Sequence, residues 1–154
     1  MKRIAILGGG INGCGVAWEV ARRDYRVTLF EKRSVGSATS SATTKMVHGG
    51  LRYLETFQFA LVRESLRERA FLLERVPDLV KPLEIVIPHY RDSNRPRLEI
   101  EIGLTLYDIL AGRQRIGWHS RLKRDEVLAL APVRPEGLRG AFVYTDAQVD
   151  DLEL

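Results

Sequence analysis

The run Gly8-Gly9-Gly10-Ile11-Asn12-Gly13 follows the apolar stretch Ile4 to Leu7 and leads into a helical pattern. Its spacing is G-x-G-x-x-G. Gly8 permits a tight turn, Gly10 lets the backbone approach a pyrophosphate, and Gly13 lets helix and strand pack closely. The helix N-terminus then faces the anion. Glycine runs also occur in ordinary turns, so the flanking order of strand, loop and helix is what gives this one meaning. Val16, Ala17, Val20 and Ala21 recur at helical spacing, and a second apolar run, Val27 to Phe30, ends in Glu31. That places an acid about 20 residues after the glycines, where a ribose-binding carboxylate belongs. The reading is an α/β, Rossmann-like dinucleotide-binding start.

Composition sets wider bounds. A chain of 154 residues, 45% hydrophobic and 29% charged, is long enough for one domain with a real core and is ordinary for a globular protein. The net charge of +4 comes from arginine scattered along the chain, not from a block of like charge. Such scatter argues against a nucleic-acid partner and is compatible with an anionic substrate or a membrane surface. Cys14 is the only cysteine, so no disulfide framework or multi-cysteine metal site is available within one chain, and a cytoplasmic compartment fits. Packing as a small apolar residue is the expectation for it. Ile4 to Leu7 is too short for a signal-peptide core, and no apolar run approaches a membrane span.

After Glu31, Lys32 to Met46 reads as a loop rich in hydroxyls: Ser34, Ser37, Thr39, Ser40, Ser41, Thr43 and Thr44. These suit capping or an extended polar ligand better than a packed core. The loop runs into Lys45-Met46-Val47-His48-Gly49-Gly50-Leu51-Arg52-Tyr53, which combines cations, an imidazole and permissive glycines, the residues of a ligand contact.

Phe59, Val62, Leu66, Ala70, Leu73 and Val76 then predict an amphipathic helix ending before Pro77. Leu83 to Ile87 reads as a strand stopped by Pro88, and Leu98 to Leu110 as a second helix closed by Gly112. Arg113, Arg115, Arg121, Lys123 and Arg124, interleaved with Trp118 and His119, read as a solvated basic loop. Ser120 is placed to cap a short helix through Ala131, and Gly140 to Thr145 reads as a strand. Val149 to Leu154 carries an acidic N-cap candidate and helix formers, the start of a helix without a body, and reads as a truncation.

Assembled, the residues resemble the FAD-dependent glycerol-3-phosphate dehydrogenases, within the flavoproteins related to D-amino-acid oxidase. The match lies in Gly8 to Gly15 (G-G-G-I-N-G-C-G), Ala38 to Leu54 (A-T-S-S-A-T-T-K-M-V-H-G-G-L-R-Y-L), Leu106 to Leu110 (L-Y-D-I-L) and Tyr144 to Leu152 (Y-T-D-A-Q-V-D-D-L). The resemblance implies a Rossmann-like FAD-binding domain split around an inserted α+β substrate domain. Residues 1–80 would be the N-terminal part of the first and 81–154 the start of the second.

It further implies that Gly8, Gly9, Gly10, Asn12 and Gly13 face the FAD pyrophosphate and that Glu31 and Lys32 lie by the adenosine ribose. Thr39, Ser40, Ser41, Thr44 and Lys45 would line the cofactor toward the flavin, with His48, Gly49, Gly50 and Leu51 close to it. Arg52 and Tyr53 would reach substrate. An arginine suits a phosphate because its planar fork pairs two oxygens and stays charged. His48 serves equally as base or as positioning group.

The implied reaction takes glycerol 3-phosphate to dihydroxyacetone phosphate, with hydride passing to flavin and electrons to a quinone. Peripheral contact with the inner face of the plasma membrane and a homodimer are compatible with it. A catalytically silent FAD-binding fragment and a related amine or 2-hydroxy-acid dehydrogenase are the alternatives. A plain NAD domain is disfavoured by the long hydroxyl-rich loop.

Overall fold

The computed structural model describes residues 2–38 and 42–150. Their packing forms two compact units, one of residues 2–38, 42–45 and 149–150, the other of residues 46–148.

In the first unit, β1 (Arg3–Leu7), α1 (Ile11–Ala21) and β2 (Arg26–Phe30) follow one another as the glycine motif requires. The strands pair in parallel, with Arg3 opposite Arg26 and Leu7 opposite Phe30. Parallel neighbours need a crossover, and α1 supplies it. Ile4, Ile6, Val27 and Leu29 are half-buried on one face, as alternation along a strand dictates, whereas Leu7 and Phe30 are exposed. Residues 32–38 and 42–45 form neither helix nor strand, as expected for the hydroxyl-rich loop.

The second unit is built on a four-stranded sheet. Its long strand is β6 (Leu138–Val149), flanked in the order β3-β6-β4 by β3 (Met46–Val47) and β4 (Val80–Tyr90), with β5 (Ser120–Leu122) also pairing with β6. β3 and β5 run antiparallel to β6, with Val47 opposite Ala147 and Arg121 opposite Phe142. A 3-10 helix spans Leu51–Thr56, followed by α2 (Phe59–Arg75), α3 (Arg97–Ala111), a short 3-10 turn at Gly112–Gln114 and α4 (Arg124–Leu130). One apolar core holds Leu54, Val62, Leu66, Tyr107 and Ala111, and another gathers Val127, Leu138 and Ala141. Val62 and Leu66 are fully buried. Each such side chain contributes about 1.5–3 kcal/mol of burial.

Three expectations are corrected. β4 does not stop at Pro88 but runs from Val80 to Tyr90 through Pro82 and Pro88. It lies at one end of the sheet path, where a missing N–H breaks no ladder on its open side. Ser120 does not cap α4; it opens β5, and Glu126 accepts the Lys123 N–H at 2.6 Å at the start of the helix instead. The basic stretch is exposed, as expected, at Arg113, Trp118, Arg121, Lys123 and Arg124, but it is not loop throughout, because β5 and the Gly112–Gln114 turn lie within it and several of its side chains are engaged. Arg115 lies over the Trp118 ring at 3.7 Å, and Arg121 Nε donates to Glu101 at 2.8 Å. The helix expected at residues 149–154 lies, beyond Asp150, outside the described residues.

Candidate functional site

The glycine loop shows why its three glycines are spaced as they are. Gly8 has φ +106°, a region that side chains disfavour, and its N–H bonds the Phe30 carbonyl at 2.8 Å. A Cβ on Gly13 would fall well inside 3.0 Å of the Gly8 carbonyl oxygen, so α1 rests directly on the loop. Gly10 is the N-cap of α1 and carries no side chain that would occupy the helix start. Asn12 is exposed on the first turn. Cys14 Sγ lies 3.6 Å from the Gly9 carbonyl, consistent with a packing role.

Glu31 closes this loop from β2. The Gly9 N–H donates to its Oε2 at 2.7 Å and the Arg33 N–H to its Oε1 at 3.0 Å. The Gly9 bond, followed by that of Arg33, holds the carboxyl below its ordinary value. Each oxygen retains a second lone pair for a ribose hydroxyl. The close packing of α1 on the glycine loop, a helix start whose N-cap has no side chain, and this fixed carboxylate fit the dinucleotide end of FAD. Lys32 is exposed beside Glu31.

Of the remaining cofactor candidates in the first unit, Thr39, Ser40 and Ser41 lie outside the described residues, and Thr44 is exposed. Lys45 is exposed with φ +56°, its N–H bonded to Thr43 Oγ1 at 2.9 Å and its carbonyl accepting the Val149 N–H at 2.9 Å.

The second unit holds the other candidates. His48 is exposed, whereas Gly49 and Gly50 are buried. Gly50 is left-handed at φ +73° and caps the 3-10 helix that carries Leu51, Arg52 and Tyr53. Leu51 packs on the core, while Arg52 and Tyr53 are exposed. Glu55, on the same turn, pairs with Arg95 at 2.7 Å, and that bond, with a smaller contribution from the Arg52 charge, lowers its carboxyl below the ordinary value. Arg52 itself forms no salt bridge among the described residues.

Beneath this turn lies a buried polar group that the sequence reading did not anticipate. The Gly49 N–H donates to Tyr107 Oη at 2.8 Å, and the Tyr107 hydroxyl donates to Asp146 Oδ1 at 2.8 Å. Arg69 Nη1 pairs with the same carboxylate at 2.6 Å, and both side chains are 1% exposed. Arg69 also donates to the Thr145 and Gln114 carbonyls. Burial, reinforced by the Asp146 charge, pushes the Tyr107 phenol far above its ordinary range and that of Tyr144 up to about 12. A sequence signal existed: Arg69 sits three positions after Leu66 on the apolar face of α2, where a cation needs a buried partner. A second cluster joins α3 to the basic stretch, with Asp108 Oδ2 accepting the His119 N–H at 2.9 Å and facing His119 Nδ1 at 2.6 Å.

The FAD-dependent oxidoreductase family profile matches residues 3–154. A glycerol-3-phosphate dehydrogenase of Synechocystis sp. is 45% identical over 151 residues, 97% of this chain and 27% of that protein. A D-erythritol 1-phosphate dehydrogenase of Brucella abortus is 42% identical over 149 residues, 97% of this chain and 29% of that protein. The chain therefore spans under a third of the length of these relatives. Among solved structures, a Bacillus halodurans glycerol-3-phosphate dehydrogenase complexed with FAD aligns with a TM-score of 0.64 at 24% identity, covering 98% of this chain and 22% of that one. That likeness shows the fold.

Proposed function

The chain belongs to the FAD-dependent oxidoreductase family, and on that premise we propose that the protein carrying it oxidises sn-glycerol 3-phosphate to dihydroxyacetone phosphate. Residues 1–80 act as the N-terminal part of a split FAD-binding domain and 81–154 as the start of an inserted α+β substrate region, a functional division distinct from the compact packing units. Gly8, Gly9, Gly10, Asn12 and Gly13 hold the pyrophosphate, and Glu31 with Lys32 the adenosine ribose. Thr39, Ser40, Ser41, Thr44, Lys45 and the turn from His48 to Leu51 line the cofactor toward its ring. When bound, the flavin supplies a two-electron acceptor for the carbon bearing the secondary hydroxyl.

The observation that carries the substrate assignment is Arg52. It stands exposed at the end of the glycine turn while the neighbouring carboxylate, Glu55, is held by Arg95. An exposed guanidinium that forms no salt bridge among the described residues offers its planar fork to a phosphate. Tyr53 flanks the same position, and His48 precedes it as the proton-accepting or orienting group. The same reading takes a quinone as acceptor and is compatible with peripheral contact at the inner face of the plasma membrane and with a homodimer. No helix among the described residues is long and apolar enough to cross a membrane.

A second reading has its own support. The relative named for D-erythritol 1-phosphate is nearly as similar as those named for glycerol 3-phosphate, so the polyol chain length is the open variable. A dye-reduction panel on the full-length holoprotein decides. Glycerol 3-phosphate is expected to support turnover, and unphosphorylated glycerol is not. Preference for erythritol 1-phosphate moves the assignment to the longer polyol, and turnover of amines or unphosphorylated 2-hydroxy acids in their place removes it.

A further inference from the structure

We propose that Arg69, Asp146 and Tyr107 are positioning residues that fix the Gly49 peptide and thereby aim the turn carrying His48 and Arg52. The inference rests on the reading above that this turn faces cofactor and substrate. Donors and acceptors from four segments distant in sequence converge below the Gly49 peptide. Gly49 and Tyr107 are 58 residues apart, Tyr107 and Asp146 39 apart, and Arg69 and Asp146 77 apart.

Tyr107 bridges the peptide and the carboxylate as a neutral phenol, its oxygen accepting from Gly49 while its proton goes to Asp146. Arg69 keeps Asp146 from turning elsewhere. The Gly49 N–H also points toward Asp146 Oδ1, at 3.4 Å, so the carboxylate reinforces the same direction. A Cβ at Gly49 would meet both Leu66 and Tyr107 Oη closer than 3.0 Å. The peptide is thus pressed against its acceptor. Gly50, at φ +73°, then turns the fixed peptide directly into the 3-10 helix with Arg52 at its second residue.

Packing alone does not account for the group. Buried ion pairs add little stability over well-packed apolar residues of similar volume. This one also leaves Arg69 Nε buried with no hydrogen-bond partner. What apolar residues cannot do is direct one backbone N–H.

The test compares wild-type holoprotein with Tyr107→Phe, Asp146→Asn and a control, Val127→Ala, which lies in the other core cluster. Amide hydrogen exchange at Gly49 is read beside Tm, bound flavin and steady-state kinetics with glycerol 3-phosphate. Tyr107→Phe should raise Gly49 exchange tenfold or more and leave the amides of α4 unchanged. It should lower kcat/KM by about tenfold to a hundredfold, the scale of a misplacement near 1 Å. Asp146→Asn should follow in the same direction. Val127→Ala should lower Tm with Gly49 exchange and kcat/KM unmoved. Variants that retain slow Gly49 exchange and wild-type kcat/KM overturn the proposal, as does a control that reproduces their losses. Should neither variant fold, wild type decides: a Gly49 amide that exchanges as fast as an exposed loop refutes the network, and strong protection supports it. Absent turnover of glycerol 3-phosphate by wild type would remove the substrate reading, while the exchange comparison would still judge the network.

Discussion

Replacing Gly13 with alanine tests the glycine loop where its geometry is most demanding. The added Cβ would lie more than about 1 Å short of the 3.4 Å at which ordinary contact with the Gly8 carbonyl begins. That oxygen is backbone, held by a loop whose Gly8 N–H is bonded to Phe30, so α1 must withdraw. Overpacking of this kind costs about 1–3 kcal/mol. Alanine also gains about 1 kcal/mol of helix propensity over glycine, which would blur a single measurement. Gly15→Ala removes that ambiguity. It lies on the same helix with nothing within 4 Å of its Cβ, so it takes the propensity gain without the clash. The two alanine variants should therefore differ by about 1–3 kcal/mol in urea denaturation. Withdrawal of α1 also moves the loop from the pyrophosphate, and FAD should bind at least about tenfold more weakly to Gly13→Ala, or about 1.4 kcal/mol. Flavin fluorescence titration of the full-length protein reads this directly. Two variants of equal stability within about 0.5 kcal/mol, with equal FAD affinity, would refute the reasoning.

Other perturbations bear on separate parts of the account. Glu31 has a folded pKa below its ordinary 4.5, so its contribution is present above that pH and is lost as pH falls through the folded value. Melts across the acid range should show this loss of stability below 4.5, and Glu31→Gln should flatten it. Arg69→Met strands Asp146 as a buried charge and should cost about 3–5 kcal/mol by urea denaturation, with Arg69→Met/Asp146→Leu recovering most of it. If the double variant is no more stable than the single, the pair is not the source of the loss. Arg52→Ala should raise KM for the phosphorylated substrate about tenfold to a hundredfold, the loss of one charge-assisted contact, with Tm unchanged. An unchanged KM would remove Arg52 from the substrate.

What was legible in the sequence was local. The glycines, Glu31 and α1 depend on neighbours within one strand-helix-strand segment, and spacing alone exposes them. α2 and α3 announced themselves by apolar period, and Gly112 by its position after the last turn. The errors arose where a distant partner decides. Pro88 looks like a stop until β4 is seen at the end of a sheet path, and the basic stretch looks like loop throughout until Glu101 and Asp108 on α3 take up Arg121 and His119. Ser120 has the chemistry of a cap, yet β6 recruits it into a strand. The network below Gly49 was the least visible part: Tyr107 and Asp146 lie in stretches that carried the resemblance, but nothing in the spacing joins two residues 39 apart. Arg69, on the apolar stripe of α2, was the local sign of a buried partner.

The measurement closest to the central claim is anaerobic reduction of the bound flavin in the full-length protein. Adding sn-glycerol 3-phosphate should bleach the visible flavin absorbance while glycerol leaves it intact, and Arg52→Ala should require a higher concentration for the same bleaching. A protein that binds no FAD, or whose flavin is reduced by glycerol as readily as by its phosphate, would contradict the account.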